Sequence, residues 1–215
     1  KNLIKIKELN NKINNITTTD ELTGIHNRKF LLERLDSEMS RARRYHSQVS
    51  CILFDLDFFK VINDMYGYEW GDVLLKKIAE MLSALARKED VVTRYGDEEF
   101  MVILPDTSEE NAFIFAERFR RDVEKMSFIP SGEDEKHPVK ISGGVSAFPC
   151  MNNPDENANS IIRYAEHALY KDLLIFKAPP ECPAQKQDRA VHTAAVFQAG
   201  QLLVVGIDRG APEPV

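Results

Sequence analysis

Strand-length apolar runs alternate with helix-length amphipathic stretches along most of this chain, and the two patterns are not interchangeable. A strand shows every second residue to one face, whereas a helix repeats every 3.6 residues. "VSCILFDLDFF" reads as a buried strand that ends in acids. Before it, "ELTGIHNRKFLLERLDSEMSRARRYH" reads as a loop and then a helix with Phe30, Leu31, Leu35 and Met39 on its apolar face. After it, "EWGDVLLKKIAEMLSALARKED" turns Leu74, Ile78, Leu82 and Leu85 inward and Lys76 and Lys77 outward. A hairpin, "TRYGDEEFMVILP", joins strands Val91–Tyr95 and Phe100–Leu104. A third helix follows in "SEENAFIFAERFRRDVEKM", with Ser108 as N-cap and Glu109 and Glu110 in the favourable first turn. "PVKISGGVSAF" is a further strand, and "NSIIRYAEHALYKDLLIF" a last amphipathic helix. Helices alternating with strands in this way predict an α/β (α+β) sandwich, with helices packed on one mixed central sheet.

The ends differ from this middle. At the start, Ile6, Leu9, Ile13 and Ile16 form a short seam at 3-4-3 spacing. It fits a helix lying on its own domain or the end of a coiled coil from an upstream partner. Residues 1–19 therefore read as a signalling helix or linker, 20–176 as the main domain and 177–215 as an atypical tail, partly disordered. The tail is rich in Ala, Pro, Gln and Val, and only "QLLVVGI" reads as a strand. The net charge of −6 argues against general nucleic-acid binding, which needs a basic face, but is compatible with a small anion held by a metal. No apolar run reaches the roughly 18 residues of a membrane span. Three cysteines, Cys51, Cys150 and Cys182, with no CxxC pair, suit a reduced cytoplasmic compartment, either as a free protein or as part of a larger membrane-bound sensor.

Chemistry concentrates in the acids. Alternation puts Asp55 and Asp57 on one strand face with Leu56 opposite. Acids that end an apolar strand are costly unless solvated, paired or bound to a cation. If the hairpin lies beside that strand, Glu98 and Asp55 converge and raise each other's pKa unless a cation separates them. Oxygen-only ligands suit Mg²⁺ (or Mn²⁺), which keeps water and substrate phosphates in its shell. The expectation is a metal-assisted phosphoryl or nucleotidyl transfer site, with room for two metals. Lys60 lies close enough in sequence to neutralise an acid or meet a phosphate.

"DELTGIHNRKF", "FDLDFFKVINDMYGYEWGD" and "RYGDEEF" occur in this order, and together they resemble the GGDEF domain of diguanylate cyclases from about Asp20 to Tyr170. The resemblance implies a fold like the palm of nucleotide cyclases and polymerases. It implies one GTP per domain and two domains head to head, each 3′-hydroxyl attacking the other GTP's α-phosphate to give cyclic di-GMP and two pyrophosphates. It also implies a sensor or receiver domain upstream.

Carried over, Asp55, the Leu56 carbonyl and Glu98 would bind Mg²⁺, and Lys60 would stabilise phosphate charge. Glu99 would ligate or orient a second metal, or help deprotonate the attacking hydroxyl. Asn63 and Asp72 would hydrogen-bond guanine, their donor and acceptor groups matching its N1–H and N2–H₂ edge. Phe59, Tyr68 and Gly96 would line the nucleotide. Read without the resemblance, Asn63 and Asp64 form a turn and Asp72 starts a helix. Arg87 and Asp90, in "RKED", resemble the family's RxxD product-inhibition site, with Arg118 as a supporting base. The plain alternative is a helix-terminal Arg paired with a loop Asp.

Several positions depart from the family pattern. Asp97 stands at the second glycine, where a glycine approaches the nucleotide closely and takes a positive φ freely. Tyr68 replaces a His, and Gly143 replaces an apolar residue, which is expected to weaken strand packing. After "AEHALY" the family motif "ADxALYxAK" is abandoned: Leu173 stands at a phosphate-binding Lys, and Lys177 lies only near a phosphate-binding Arg. The composition shift there suggests a frame change or a recombined tail. These departures keep a second reading open, a degenerate domain that binds cyclic di-GMP or GTP without turnover.

Overall fold

The computed structural model describes residues 18–130, 136–149 and 157–170, together with the backbone of 193–198 and 201–206. The elements run β1 (His26–Asn27), α1 (Arg28–Tyr45), β2 (Val49–Leu56), α2 (Phe59–Tyr66), α3 (Tyr68–Leu85), β3 (Val91–Arg94) and β4 (Glu99–Pro105). They continue with α4 (Glu109–Lys125), β5 (Ile141–Phe148), α5 (Ala158–Leu169), β6 (Thr193–Gln198) and β7 (Gln201–Gly206). The strands hydrogen-bond in the order β1-β3-β4-β2-β5-β6-β7. Among the described strands only the β1–β3 pair is parallel, so the sheet is mixed.

Strand alternation divides the core into two layers. Ile52, Phe54 and Leu56 of β2, with Phe100, Val102 and Leu104 of β4, bury against Leu74, Ile78 and Leu82 of α3 and Ala112, Ala116 and Phe119 of α4. The odd-numbered neighbours Cys51, Leu53, Met101 and Ile103 bury on the other face. There they meet Leu31, Leu35 and Met39 of α1 and Ile161, Ile162 and Ala165 of α5. Each such Leu, Ile or Phe contributes about 1.5–3 kcal/mol when fully buried, so the two helix layers anchor β2 firmly from both sides. Asp55 continues the odd-numbered series, which places it on the α1/α5 face.

Helix starts follow capping chemistry. The Asn27, Ser108 and Asn157 side chains accept from the third residue beyond them, at Phe30, Asn111 and Ser160. Helix α2 was not evident from the sequence: "FKVINDMY" is too short to show a period, and Asn63 lies within it rather than in a turn. Gly67, at φ 87°, then breaks the chain direction between α2 and α3.

Gly143 does not weaken the sheet as its sequence context suggested. A Cβ there would come 3.0 Å from Cδ1 of Phe54, a fully buried ring packed edge-on against Phe119 at 5.0 Å. The missing side chain makes room for that ring. Gly144 serves the other face: a Cβ would strike the α5 backbone at Ala165 and Leu169, so α5 can lie directly on β5.

In the tail, β7 forms where "QLLVVGI" reads as a strand, while β6 arises in what reads as linker. Residues 1–17 and 171–192, which include the N-terminal seam, Leu173 and Lys177, lie outside the described residues. Among the described residues, no helix is long and apolar enough to cross a membrane.

Candidate functional site

The site forms where β2 ends between β4 and β5. Register pairs Asp55 with Glu99 on one side and with Ser142 on the other. Beyond the ladder, the Leu56 N–H donates to the Glu98 carbonyl at 3.3 Å and the Asp57 N–H to the Lys140 carbonyl at 3.1 Å. These bonds hold the end of the acidic strand against the hairpin turn. The sequence reading expected Glu98 to converge on Asp55; the register makes Glu99 the direct cross-strand neighbour, and Glu98 reaches Asp55 through its charge.

The electrostatic consequence is large. Burial, followed by the charges of Glu98, Glu99 and Asp57, pushes the Asp55 carboxyl up to about 7. Its Oδ1 is buried with no hydrogen-bond partner. Glu98 is also raised, by burial and then by Asp97 and Glu99. Asp57 is raised by burial, although Ser142 Oγ–H donates to its Oδ1 at 2.7 Å and Lys140 opposes the shift.

Among the described residues, no group of three or more His, Cys, Asp and Glu side chains forms a ready metal cage. The donor set still fits Mg²⁺. That ion commonly uses one or two carboxylates and takes its remaining ligands from water and phosphate. An orphaned buried carboxylate oxygen among like charges is a site that a cation would relieve.

Helix α2 starts directly after these acids. Its N-cap, Phe58, is left-handed (φ 59°, ψ 27°) and supplies no side-chain cap. The first amides of a helix have no intrahelical partner, so this terminus favours an anion. Phe59 buries its side chain in the core, leaving its main chain as what it can offer a ligand. Likewise Leu56 is buried and can offer only backbone. Lys60, Tyr68 and Asp72 are exposed, and Asn63 is half-buried.

Asn63 carries a second orphan: its Oδ1 is buried without a partner. It lies against the first turn of α3, where a Cβ on Gly71 would land on it. Sequence reading passed over Gly71, although it stands inside the quoted "EWGD". Its role is to leave space for Asn63.

The hairpin turn is closed by Tyr95 and Gly96, whose N–H groups donate to the Glu99 carbonyl at 2.8 and 3.2 Å. Gly96 again serves space and not backbone freedom, because a Cβ would meet Glu99 Oε2. Neither Gly96 nor Asp97 has a positive φ. Asp97 therefore brings no backbone strain. Its side chain is exposed, and its carbonyl accepts from Arg94 Nη2 at 2.9 Å. The effect that remains is its charge, felt by Glu98.

Arg94 also pairs with Asp20 at 3.3 Å. Burial opposes ionisation of Asp20, but bonds from the Thr23 hydroxyl and amide, with Arg94, outweigh it and hold the carboxyl below its usual value. The "DELTG" loop is thus tied to the hairpin.

Arg87 and Asp90 lie after α3, away from these acids. The Arg87 N–H donates to Asp90 Oδ2 at 2.7 Å, while Asp90 Oδ1 is buried and unpartnered. A shallow cavity of about 230 Å³ lies beside them, lined also by Gly24, Ile25 and His26. Asp90 is hydrogen-bonded by the Arg87 backbone and feels the Arg87 guanidinium only as a neighbouring charge. Arg118 is exposed on α4, the helix packed beside α3.

Comparison with known proteins gives the family and the fold. The model of the diguanylate cyclase GGDEF domain matches residues 17–173. The chain is 39% identical over 156 residues to the response regulator PleD of Caulobacter vibrioides, covering 73% of this chain and 34% of PleD. It is 37% identical over 166 residues to diguanylate cyclase A of Treponema denticola, covering 75% of this chain and 43% of that protein. Among solved structures, the GGDEF domain of DgcB from Caulobacter crescentus in complex with c-di-GMP superposes with a TM-score of 0.67 at 27% identity. That match covers 73% of this chain and 90% of the DgcB domain. The active GGEEF domain of a Vibrio cholerae diguanylate cyclase gives a TM-score of 0.61 at 31% identity, covering 67% of this chain and 88% of that one. The chain spans about a fifth to a half of the length of the curated relatives it matches.

Proposed function

This chain belongs to the diguanylate cyclase GGDEF-domain family, and from that premise we propose that it condenses two GTP molecules into cyclic di-GMP and two pyrophosphates. The observation that carries the reading is the Asp55 carboxylate. Its buried, unpartnered oxygen sits opposite Glu99 and within the field of Glu98, and its affinity for a positive charge is raised accordingly.

Asp55, Glu98 and the Leu56 carbonyl would hold Mg²⁺ or Mn²⁺, and the ion, when bound, supplies charge neutralisation for the phosphates. The chain's own residues do the rest. The uncapped start of α2 and the Lys60 ammonium receive phosphate oxygens. Asn63, kept in place by the bare Gly71, and Asp72 select guanine over adenine through its N1–H and N2–H₂. Glu99 faces the attacking 3′-hydroxyl and draws its proton. That oxygen bonds to the α-phosphorus of a GTP on a second copy as pyrophosphate leaves, and repetition in the opposite sense closes the ring. A head-to-head homodimer is therefore required. Product returning to Arg87, Asp90 and Arg118 restrains the enzyme.

A second reading draws on Asp97, whose charge adds to Glu98, together with the open Arg87 side chain. It is a domain that binds cyclic di-GMP or GTP without turnover. Incubating the purified chain with GTP and Mg²⁺, beside an Asp97→Gly variant, separates the two. Cyclic di-GMP from the parent supports the enzyme. Product from the variant alone supports the receptor, and product from neither removes the cyclase reading.

A further inference from the structure

Two tyrosine–glutamate bonds cross between the hairpin and α5. Tyr95 Oη–H donates to Glu166 Oε1 at 3.0 Å, and Tyr170 Oη–H donates to Glu99 Oε1 at 2.8 Å. The partners are spaced identically: Tyr95 and Glu99 on the hairpin, Glu166 and Tyr170 on α5 and its C-cap. Each segment contributes one donor and one acceptor, four residues apart, so the two bonds form a reciprocal clasp. Arg28 fixes its far end, donating to Tyr95 Oη at 3.2 Å with its guanidinium carbon 4.5 Å from the ring centre. Gly144 lets α5 approach closely enough for the clasp to close.

The clasp locates both oxygens of Glu99. Oε1 is held by Tyr170, and Oε2 lies over Gly96 where a Cβ would otherwise be. A free glutamate at a strand end would sample several rotamers; this one is tied at Oε1 by the Tyr170 hydroxyl, with Oε2 in the space that Gly96 leaves. We propose that Tyr170 is a positioning residue for the reaction, its hydroxyl fixing the Glu99 carboxylate toward the reacting centre while Tyr95–Glu166 anchors the helix that carries it. The inference rests on the cyclase reading for its kinetic consequence but not for the clasp. It also makes the C-terminus of α5, the point where the family motif is abandoned, a determinant of the site's geometry.

The test uses the full chain with Tyr170→Phe, Glu99→Ala and the double variant; Tyr170→Phe keeps the ring and loses only the hydroxyl, and Glu99→Ala removes the acceptor. In thermal unfolding, Tyr170→Phe is expected to lower the midpoint by about 2 °C in the parent and not at all in the Glu99→Ala background, a comparison that cancels the charge Glu99→Ala removes from beside Asp55. Additive losses overturn the clasp whatever the activity. In the cyclase assay, Tyr170→Phe is expected to reduce kcat about 10- to 100-fold with KM within about twofold, the pattern of a misplaced group and not of lost binding. An unchanged kcat overturns the positioning role. If the parent forms no product, the cyclase reading fails by itself. The positioning role is then judged by Mn²⁺ binding in the presence of GTP, followed by electron paramagnetic resonance. Tyr170→Phe is expected to weaken that binding about fivefold or more; equal binding overturns the inference.

Discussion

Replacing Asp55 with Asn is expected to stabilise the metal-free protein at alkaline pH while destroying its response to Mg²⁺. The Asp55 carboxyl is displaced from 3.8 to about 7 in the folded state, by burial first and then by Glu98, Glu99 and Asp57. A raised carboxyl pKa means that the folded state holds its proton more tightly than the unfolded state. Stability therefore falls as pH rises from about 4 to about 7, and the full penalty persists above that range. At 1.36 kcal/mol per pKa unit, the displacement corresponds to about 4 kcal/mol. Partial solvent access screens the neighbouring charges and reduces this to about 2 kcal/mol.

Chemical denaturation of parent and Asp55→Asn at pH 5 and pH 8, in EDTA and then in Mg²⁺, reads the difference. The variant's advantage should be near zero below pH 4 and reach about 2 kcal/mol at pH 8 in EDTA. Saturating Mg²⁺ should stabilise the parent and leave the variant unmoved. Comparing the two chains removes the background from Glu109, which burial and Glu110 also push up to about 7, while the charges of Glu98 and Asp57 are part of the difference read. A parent whose stability relative to the variant is flat from pH 5 to pH 8 would refute the account of Asp55 as a desolvated carboxylate awaiting a cation.

Three further outcomes follow from the same geometry. Gly71→Ala places a methyl on Asn63 Oδ1 and should weaken GTP binding about tenfold by calorimetry, with ATP binding little changed. Asp97→Gly removes an exposed charge without relieving strain. It should leave the unfolding midpoint within about 2 °C, lower the Glu98 pKa and raise Mg²⁺ affinity, as read by calorimetry. Arg87→Ala should abolish cyclic di-GMP binding measured at equilibrium while sparing the fold, because the Asp90 contact is made to the Arg87 backbone.

Much of the site was legible because its signals are local. The apolar run into Asp55, the helical seam through Leu74, Ile78 and Leu82, and the acids of "GDEEF" each express one period or one cluster. Periodicity is a property of neighbours in sequence. The short α2 escaped notice because eight residues carry barely two turns of pattern. The concern over Asp97 was misplaced in part: a missing glycine suggests a lost positive φ, but the backbone there does not use one.

Periodicity in the sequence determined the sandwich of helices on a mixed sheet and marked the acids that gather at its strand ends, while the three ordered motifs carried the resemblance to the family. Tertiary structure alone decided which carboxylate stands opposite which, because a register is a relation between distant segments. It also decided the purpose of the glycines. Gly71, Gly96 and Gly144 are needed for what approaches them: the Asn63 amide, the Glu99 carboxylate and the α5 backbone. The Tyr95–Glu166 and Tyr170–Glu99 clasp spans 71 residues in each bond, a separation at which no sequence period exists and only packing can bring the partners together.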